Sequence, residues 1–437
     1  MIDRRGLLLG GSALLAAGIV GRARAQHEHE DDEPPVTGAA EPGTVVTPNV
    51  GTLPYRTIDG RKVWHLIAEP VQNVFCPGLE AACWGYNGST PGPTLEAIEG
   101  DRARIFVENR LPAPTSVHWH GQIVPSGMDG VGGLSHPPIR PGETFLYEFT
   151  VRDPGTFMYH SHFDEMIQIA LGMQGIFVVH PRRGPRPDRD YAIMLGEWFI
   201  EPGQARPDPM VMSDFNVLTM NGKAFPATEP LVAERGERVR IRLANLGPMD
   251  HHPIHLHGHH FRVVGTDGGP IPRAGQWPEN TVLVPVGATR DIELIASEGD
   301  WAFHCHMTHH VMNQMGHDFP NMTGTRTAML DARMRRLVPG YMSMGQSGMS
   351  EMATTRMPVP DNSAPMLGGQ GPFGVIDMGG MMTILKVRGR LPRDGGDPGW
   401  YENPPGTVAR VATEAELREA GIEPAEPAPS SPGHRHG

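Results

Sequence analysis

One block of this sequence is written twice, and that constrains the fold more than anything else in it. Glu99-Gly100-Asp101-Arg102-Ala103-Arg104-Ile105-Phe106-Val107-Glu108-Asn109 returns as Arg235-Gly236-Glu237-Arg238-Val239-Arg240-Ile241-Arg242-Leu243-Ala244-Asn245. Asn87-Gly88 returns as Asn221-Gly222, and His118-Trp119-His120-Gly121 as His255-Leu256-His257-Gly258. Pro154-Gly155-Thr156-Phe157-Met158-Tyr159-His160-Ser161-His162 returns as Glu298-Gly299-Asp300-Trp301-Ala302-Phe303-His304-Cys305-His306. The order is kept and the offset stays near ~140 residues, the size of one domain. Within each copy, alternating runs such as Val63 to Ile67 and Arg104 to Val107 are bounded by Gly and Pro turns, the pattern of short strands. The chain therefore reads as a duplicated all-β sandwich, with Arg182 to Pro187 as the linker between copies.

The flanks read differently. Arg4-Arg5, the apolar run Gly6 to Gly21 and Ala23-Arg24-Ala25-Gln26 form a twin-arginine-type export signal over residues 1–25, so the protein is expected in the periplasm or secreted, with no stable membrane anchor. Residues 26–44 are acidic and aperiodic, a disordered linker. Domain one is expected over 45–183 and domain two over 184–330. A helix is expected near Ala328 to Leu337, then a Met-rich extension over 331–392 and a mostly disordered tail over 393–437, with one short helix at Glu414 to Ala420. Met342, Met344, Met349, Met352, Met357, Met366, Met378, Met381 and Met382 either pack the extension down or hold Cu(I), for which thioethers are selective. Met381 to Val387 reads as a last strand. The formal net charge of -12 argues against a nucleic-acid partner.

Histidine carries the chemistry. Each copy holds two His-x-His pairs, and residues i and i+2 of a strand share a face, so each pair presents two imidazoles side by side. Eight such histidines without a metal would leave many ring nitrogens unpaired. Cys305 sits between His304 and His306, with His310 five residues on and Met315 ten; His252 lies three residues before His255. Thiolate, two imidazoles and a weak thioether are the ligand set of a blue-copper site. Copy one has Ser161 where copy two has Cys305, Thr115 for His252, Met166 for His310 and Leu171 for Met315, so it lacks that site. Asp129 lies eleven residues after His118, and Asp164 and Glu165 follow His162. Cys76 and Cys83 are either a small-loop disulfide or two buried thiols.

These motifs resemble the multicopper oxidases, laccases and their relatives. The family's four signatures stand at 118–121, 160–162, 252–257 and 304–315. The resemblance implies two tandem cupredoxin-like Greek-key β-sandwich domains and four copper ions. His252, Cys305, His310 and Met315 would hold the type 1 copper, and His118 and His255 the type 2 copper. His120, His160 and His306 would hold one type 3 copper, and His162, His257 and His304 the other. A donor, a phenol or aromatic amine, would be oxidised by single electrons through Cys305, and O2 reduced to water at the three-copper cluster. O2 reduction also needs protons, and by the resemblance Asp129 would be the acid that relays them; a second family acid, three residues after the cysteine, is replaced here by Thr308, for which Asp164 or Glu165 would substitute. With room for two domains, the chain resembles two-domain laccases, which form homotrimers with the cluster at the subunit interface. The alternatives are a cuprous oxidase using the methionines, an oxidase of manganese(II) or iron(II), for which Asp250 would supply a hard ligand, a copper nitrite reductase-like protein, and a copper store.

Overall fold

The computed structural model describes residues 45–201, 203–211, 215–311, 361–363, 368–393 and 395–423. The export signal, the acidic linker, the helix near 328–337, Met315 and the methionines from Met342 to Met366 lie outside the described residues.

The first sandwich has two sheets. One runs Arg56–Ile58, Arg61–Cys76, Arg102–Asn109, Thr144–Thr150, with Leu79–Tyr86 paired to the far half of Arg61–Cys76. The other runs Gly92–Ile98, Gln174–His180, Gly155–His160, His118–His120. Inward residues of both close on Trp64, Leu66, Ile105, Val107, Trp119 and Phe177. Alternation drives this: Arg102–Asn109 is buried at every second position, Ala103, Ile105, Val107 and Asn109, as a strand with one wet face must be.

The second sandwich repeats the plan. Arg238–Asn245 pairs Ala288–Ile295, and His252–Leu256 pairs Gly299–Cys305. In copy one the strand after the His-x-His motif, Gln174–His180, lies antiparallel to Gly155–His160 and parallel to Gly92–Ile98. In copy two the same place is taken by Met382–Arg388, antiparallel to Gly299–Cys305 and parallel to Leu231–Glu234. The second sandwich thus takes a central strand from beyond residue 330, inside the span expected as the Met-rich extension. The reason is the hydrogen-bond ladder: without Met382–Arg388, the strand that delivers Cys305 would have one bare edge in the core. Met381 and Met382 are buried, the packing role for those two methionines.

The sandwiches meet face to face through Val45, Met158, Ile176, Val178, Ala192, Met194, Ala244 and Leu246. A buried polar knot crosses the same seam. Arg242 pairs with Asp190 through Nε and Nη2, both at 2.7 Å, and its Nη1 donates to Thr156 Oγ1 at 2.8 Å; Thr156 Oγ1 in turn donates to Asp291 at 2.7 Å. Cys76 and Cys83 are both free and buried: in the ladder Cys76 faces Leu79 and Cys83 faces Val71. The tail carries the short helix Glu414–Glu419, started by a capping box from Thr413 and Glu416.

Candidate metal centre

Strand register brings the histidines together. His118 stands opposite His160, and His255 opposite His304. The glycine that ends each His-x-His-Gly turns the chain away over an aromatic ring: Gly121 and Gly258 have φ of 87° and 69°, and a Cβ there would lie 2.7 Å from the Phe157 ring and 2.2 Å from the Trp301 ring.

Four rings are aimed by backbone carbonyls. The Nδ1–H of His118 donates to Asp129 O at 2.6 Å, and that of His160 to Ser161 O at 2.8 Å. In copy two His255 donates to Asn280 O at 2.7 Å and His304 to Cys305 O at 2.8 Å. A carbonyl only accepts, so each ring carries its proton on Nδ1 and offers the Nε2 lone pair, the outer-shell device that fixes a metal-binding tautomer. His120 Nδ1 lies 3.3 Å from His160 Nε2, and His257 Nε2 lies 3.1 Å from His304 Nε2. Two nitrogens on one tetrahedral ion at metal–nitrogen distances of ~2.0 Å stand about 3.3 Å apart. Burial pushes the His160 imidazole down to about 3, and that of His304 also down, so these rings are neutral, the form that binds metal.

His118, His120, His160 and His162 form one group of ring contacts, and His255, His257, His304 and His306 another. Among the described residues no ring contact or hydrogen bond joins one group to the other within the chain. His257 and His306 are exposed.

The second centre is dry. His252, Cys305 and His310 are all fully buried. Cys305 Sγ lies 3.3 Å from His310 Nδ1 and 3.8 Å from His252 Nδ1, and the two Nδ1 atoms are 3.1 Å apart. With metal–nitrogen bonds of ~2.0 Å and metal–sulfur bonds of ~2.3 Å, one ion reaches all three. Burial pushes the Cys305 thiol up to about 12 and the imidazoles of His252 and His310 down to about 4 and about 3. The imidazoles are ready for a metal; the thiol must give its proton to one. Met381 braces the loop, its carbonyl accepting from Cys305 N–H and its N–H donating to His310 O, both at 3.0 Å. Thiolate and paired imidazoles in a dry pocket fit copper.

On the outer edge of that centre stands a residue that sequence reading missed. Glu197 Oε1 lies 2.8 Å from His252 Nε2, and Asp250 Oδ2 lies 3.8 Å from His310 Nε2. Burial, with Asp250 nearby, pushes the Glu197 carboxyl up to about 8. Gly247 leaves the space: a Cβ there would sit 2.5 Å from Glu197 Oε1. The one sequence signal is an acid inside Tyr191-Ala192-Ile193-Met194-Leu195-Gly196-Glu197-Trp198, an otherwise apolar strand.

The remaining candidates sort cleanly. Asp129 holds His118 by its carbonyl, with its half-exposed carboxylate 3.5 Å from the same Nδ1. Glu165 reaches His162 Nε2 at 3.0 Å, whereas Asp164 is the left-handed residue that starts the short helix Glu165–Gln168. Thr308 is exposed. His251 takes the Val286 N–H on its Nδ1 and stays outside the buried centre, and His259 is tied between His257 O and Ser297 N. In copy one, Thr115 and Ser161 both donate to Gln168 Oε1, at 2.7 and 2.6 Å. Gln168 stands where the repeat pointed to Met166, which is exposed. A polar triad fills the space that holds His252, Cys305 and His310 in copy two.

Comparison with known proteins agrees with this geometry. Two family models, each described as multicopper oxidase, match residues 70–184 and 201–325. Copper resistance protein A of Escherichia coli is 30% identical over 263 residues, 48% of this chain and 43% of that protein. Laccase-20 of Oryza sativa subsp. japonica is 30% identical over 238 residues, 50% of this chain and 40% of that protein. The chain thus spans less than half the length of these relatives. Among solved structures, the blue copper oxidase from Nitrosomonas europaea superposes with a TM-score of 0.54 at 25% identity, covering 74% of this chain and 85% of that one. More than half of the chain is matched by multicopper oxidase domains, and the chain belongs to the multicopper oxidase family.

Proposed function

We propose that the protein is a laccase-like copper oxidase that takes single electrons from a small phenolic or aromatic amine donor and passes them to O2, which is released as water. The observation that carries this reading is the position of Cys305. Its Sγ faces His252 and His310 in the dry centre, while its covalent neighbours His304 and His306 belong to the other histidine group. In this reading His252, Cys305 and His310, with Met315, hold a type 1 copper. His118 and His255 hold a type 2 copper; His120, His160 and His306 hold one type 3 copper, and His162, His257 and His304 the other. Bound copper would supply one-electron exchange at the first centre and four-electron O2 reduction at the second.

The chain's own residues do the rest. The Cys305 backbone gives electrons a short covalent path to both flanking histidines. Glu197 and the buried walls orient His252 and exclude water. Asp129 sets a carboxylate beside His118 that can relay protons toward the cluster.

The cluster is proposed to form between domain one of one subunit and domain two of the next, in a homotrimer. Two facts support this: among the described residues no ring contact or hydrogen bond joins the two histidine groups, and His257 and His306 are exposed. A head-to-tail interface that closes into a ring has this property. Export to the periplasm or beyond rests on Arg4-Arg5 and the apolar run after them; no described helix is long and apolar enough to cross a membrane.

The test is the copper-loaded protein assayed for an intense blue band, O2 uptake with a phenol, and mass in solution. A colourless protein would remove the type 1 assignment, absence of O2 uptake with every donor would remove the oxidase, and a monomer with a complete cluster would remove the interface.

A second reading, oxidation of a metal ion such as Cu(I), draws on a carboxylate. Asp250 lies on the outer edge of the His310 imidazole of the dry centre, beside the exposed Met249. Hard oxygen and soft thioether together would bind a cation there. Asp250→Asn would then raise the KM for the metal donor several-fold and leave phenol oxidation unchanged.

A further inference from the structure

Ser161 stands between His160 and His162 as Cys305 stands between His304 and His306. Its carbonyl accepts the His160 Nδ1–H at 2.8 Å, so the direction of that carbonyl sets the direction of the ring. The strand Gly155–His160 ends one residue earlier. From there the chain is held by Ser161 itself. Its N–H donates to Met173 O at 3.0 Å, and its Oγ donates to Gln168 Oε1 at 2.6 Å and takes the Phe163 N–H at 3.4 Å.

Gln168 grips a second segment with the same atom. Thr115 Oγ1, three residues before His118, donates to Gln168 Oε1 at 2.7 Å, and Gln168 Nε2 donates to Pro114 O at 2.8 Å. Thr115, Ser161 and Gln168 are fully buried. An amide oxygen has two lone pairs, and both are used here. One side chain therefore ties the segment that enters His118 to the loop that carries His160 and His162.

Copy two settles the same loop with other atoms. There His252, Cys305 and His310 turn two ring nitrogens and a sulfur toward one another, an arrangement that a metal ion closes. In copy one, two hydroxyls and an amide close on one another with donors matched to acceptors, and no metal is needed. The ligand nitrogens of His118, His120 and His160 already lie within 4.8 Å of one another.

We propose that Gln168 is a positioning residue for the domain-one half of the histidine cluster. Its amide oxygen fixes the Ser161 hydroxyl, hence the Ser161 carbonyl, and so presets His160 to receive copper. The proposal rests on the copper reading of these histidines. It makes the two halves unlike: His304 and His306 share a backbone with the dry centre, whereas His160 and His162 are set by hydrogen bonds alone. No hydrogen bond of Gln168 among the described residues reaches the dry centre, so its loss acts on the cluster and leaves the blue band untouched.

The experiment uses the full chain, copper-loaded, as parent, Gln168→Met, Ser161→Ala, the double variant and Gln168→Glu. Copper is withdrawn with a graded chelator; bound copper is read by metal analysis and the blue band on the same samples. Gln168→Met keeps the length of the side chain and removes both amide atoms. Its cluster affinity should fall about 10–100-fold, the usual scale for a residue that orients a ligand, while the blue band follows the parent. Ser161→Ala should fall in the same direction. The double variant should fall no further than Gln168→Met, because both changes break one bond. Gln168→Glu, whose protonated carboxyl can make the same three bonds, should return most of the affinity. Cluster affinity equal to the parent's in either single variant overturns the proposal. So does an additive loss in the double variant, or a parallel loss of the blue band, which would make Gln168 a residue of general folding. If Gln168→Met does not fold, Ser161→Ala decides alone by the same criteria. A parent that binds no copper overturns the copper reading itself.

Discussion

Glu197 Oε1 lies 2.8 Å from His252 Nε2, and neither side chain reaches solvent. His252 turns its other nitrogen to Cys305 and His310, so Glu197 acts on the dry centre through one imidazole. A carboxylate behind a metal-bound histidine fixes the ring and makes it a better donor. Metal-free, burial keeps this carboxyl protonated up to about 8. A copper ion at the centre favours the carboxylate, because opposite charges attract strongly in a dry pocket. With copper bound, the carboxylate would stabilise the cupric form over the cuprous one. Glu197→Gln should therefore raise the reduction potential of the proposed type 1 centre, read by redox titration of the blue band. An unchanged potential in a variant that keeps its blue band would mean that Glu197 stays protonated in the copper-loaded protein.

Asp129 offers a cleaner separation of roles than most acids beside a metal. Its carbonyl, not its carboxylate, makes the 2.6 Å contact that aims His118. Asp129→Asn leaves that contact in place and removes only the acid. Copper content and spectrum should stay at the parent level while kcat for O2 reduction falls by about 10²-fold or more, the usual scale of general acid catalysis. Loss of copper along with kcat would assign the side chain to holding the cluster instead.

Much of this was legible in the sequence because the repeat wrote it twice. The strands Arg102–Asn109 and Arg238–Asn245, and both sets of paired histidines, follow from alternation and spacing alone. Three features did not follow. Glu197 has no spacing to announce it: an acid in an apolar strand becomes informative only when the fold turns it toward His252. The strand Met382–Arg388 is legible as a strand, close to the expected Met381 to Val387, but its place in domain two is not: it is far in sequence from its partner Gly299–Cys305, whereas in copy one Gln174–His180 follows Gly155–His160 after a much shorter connection, so a reading by local order puts it outside the domain. Gln168 takes the place expected for Met166: both copies have a short helical turn there, Glu165–Gln168 and Thr308–Val311, but the inward residue of the α-helical turn in copy one lies two positions later than spacing alone predicts.

Acid should unfold the metal-free protein early. Burial holds His160, His252 and His310 at about 3, about 4 and about 3 in the folded chain. In the unfolded chain each titrates near ~6.5. Below that value the unfolded state binds more protons than the folded one, so stability falls as pH drops from about 6.5 toward the folded values. Copper bound to these nitrogens adds stability at neutral pH, and that gain narrows in acid as protons compete for the rings. Urea midpoints measured from pH 7 to pH 4, with and without copper, check both statements. A flat profile for the metal-free protein would show that the three imidazoles are open to water.

Arg242 is the residue on which the seam between the sandwiches depends most. It is 2% exposed and faces two buried carboxylates, Asp190 and Asp291, as well as Thr156 of the strand that ends in His160. Removing the cation leaves two buried negative charges together, and breaking a buried pair in this way costs about 3–5 kcal/mol. Thr156→Val removes one hydroxyl from the same knot and leaves the ion pair, for a cost of about 1–2 kcal/mol. Arg242→Leu should therefore lower the urea midpoint far more than Thr156→Val. Restoring neutrality with Asp190→Asn and Asp291→Asn beside Arg242→Leu should recover part of the loss. If the triple variant is no more stable than Arg242→Leu alone, the guanidinium acts by filling space rather than by balancing charge.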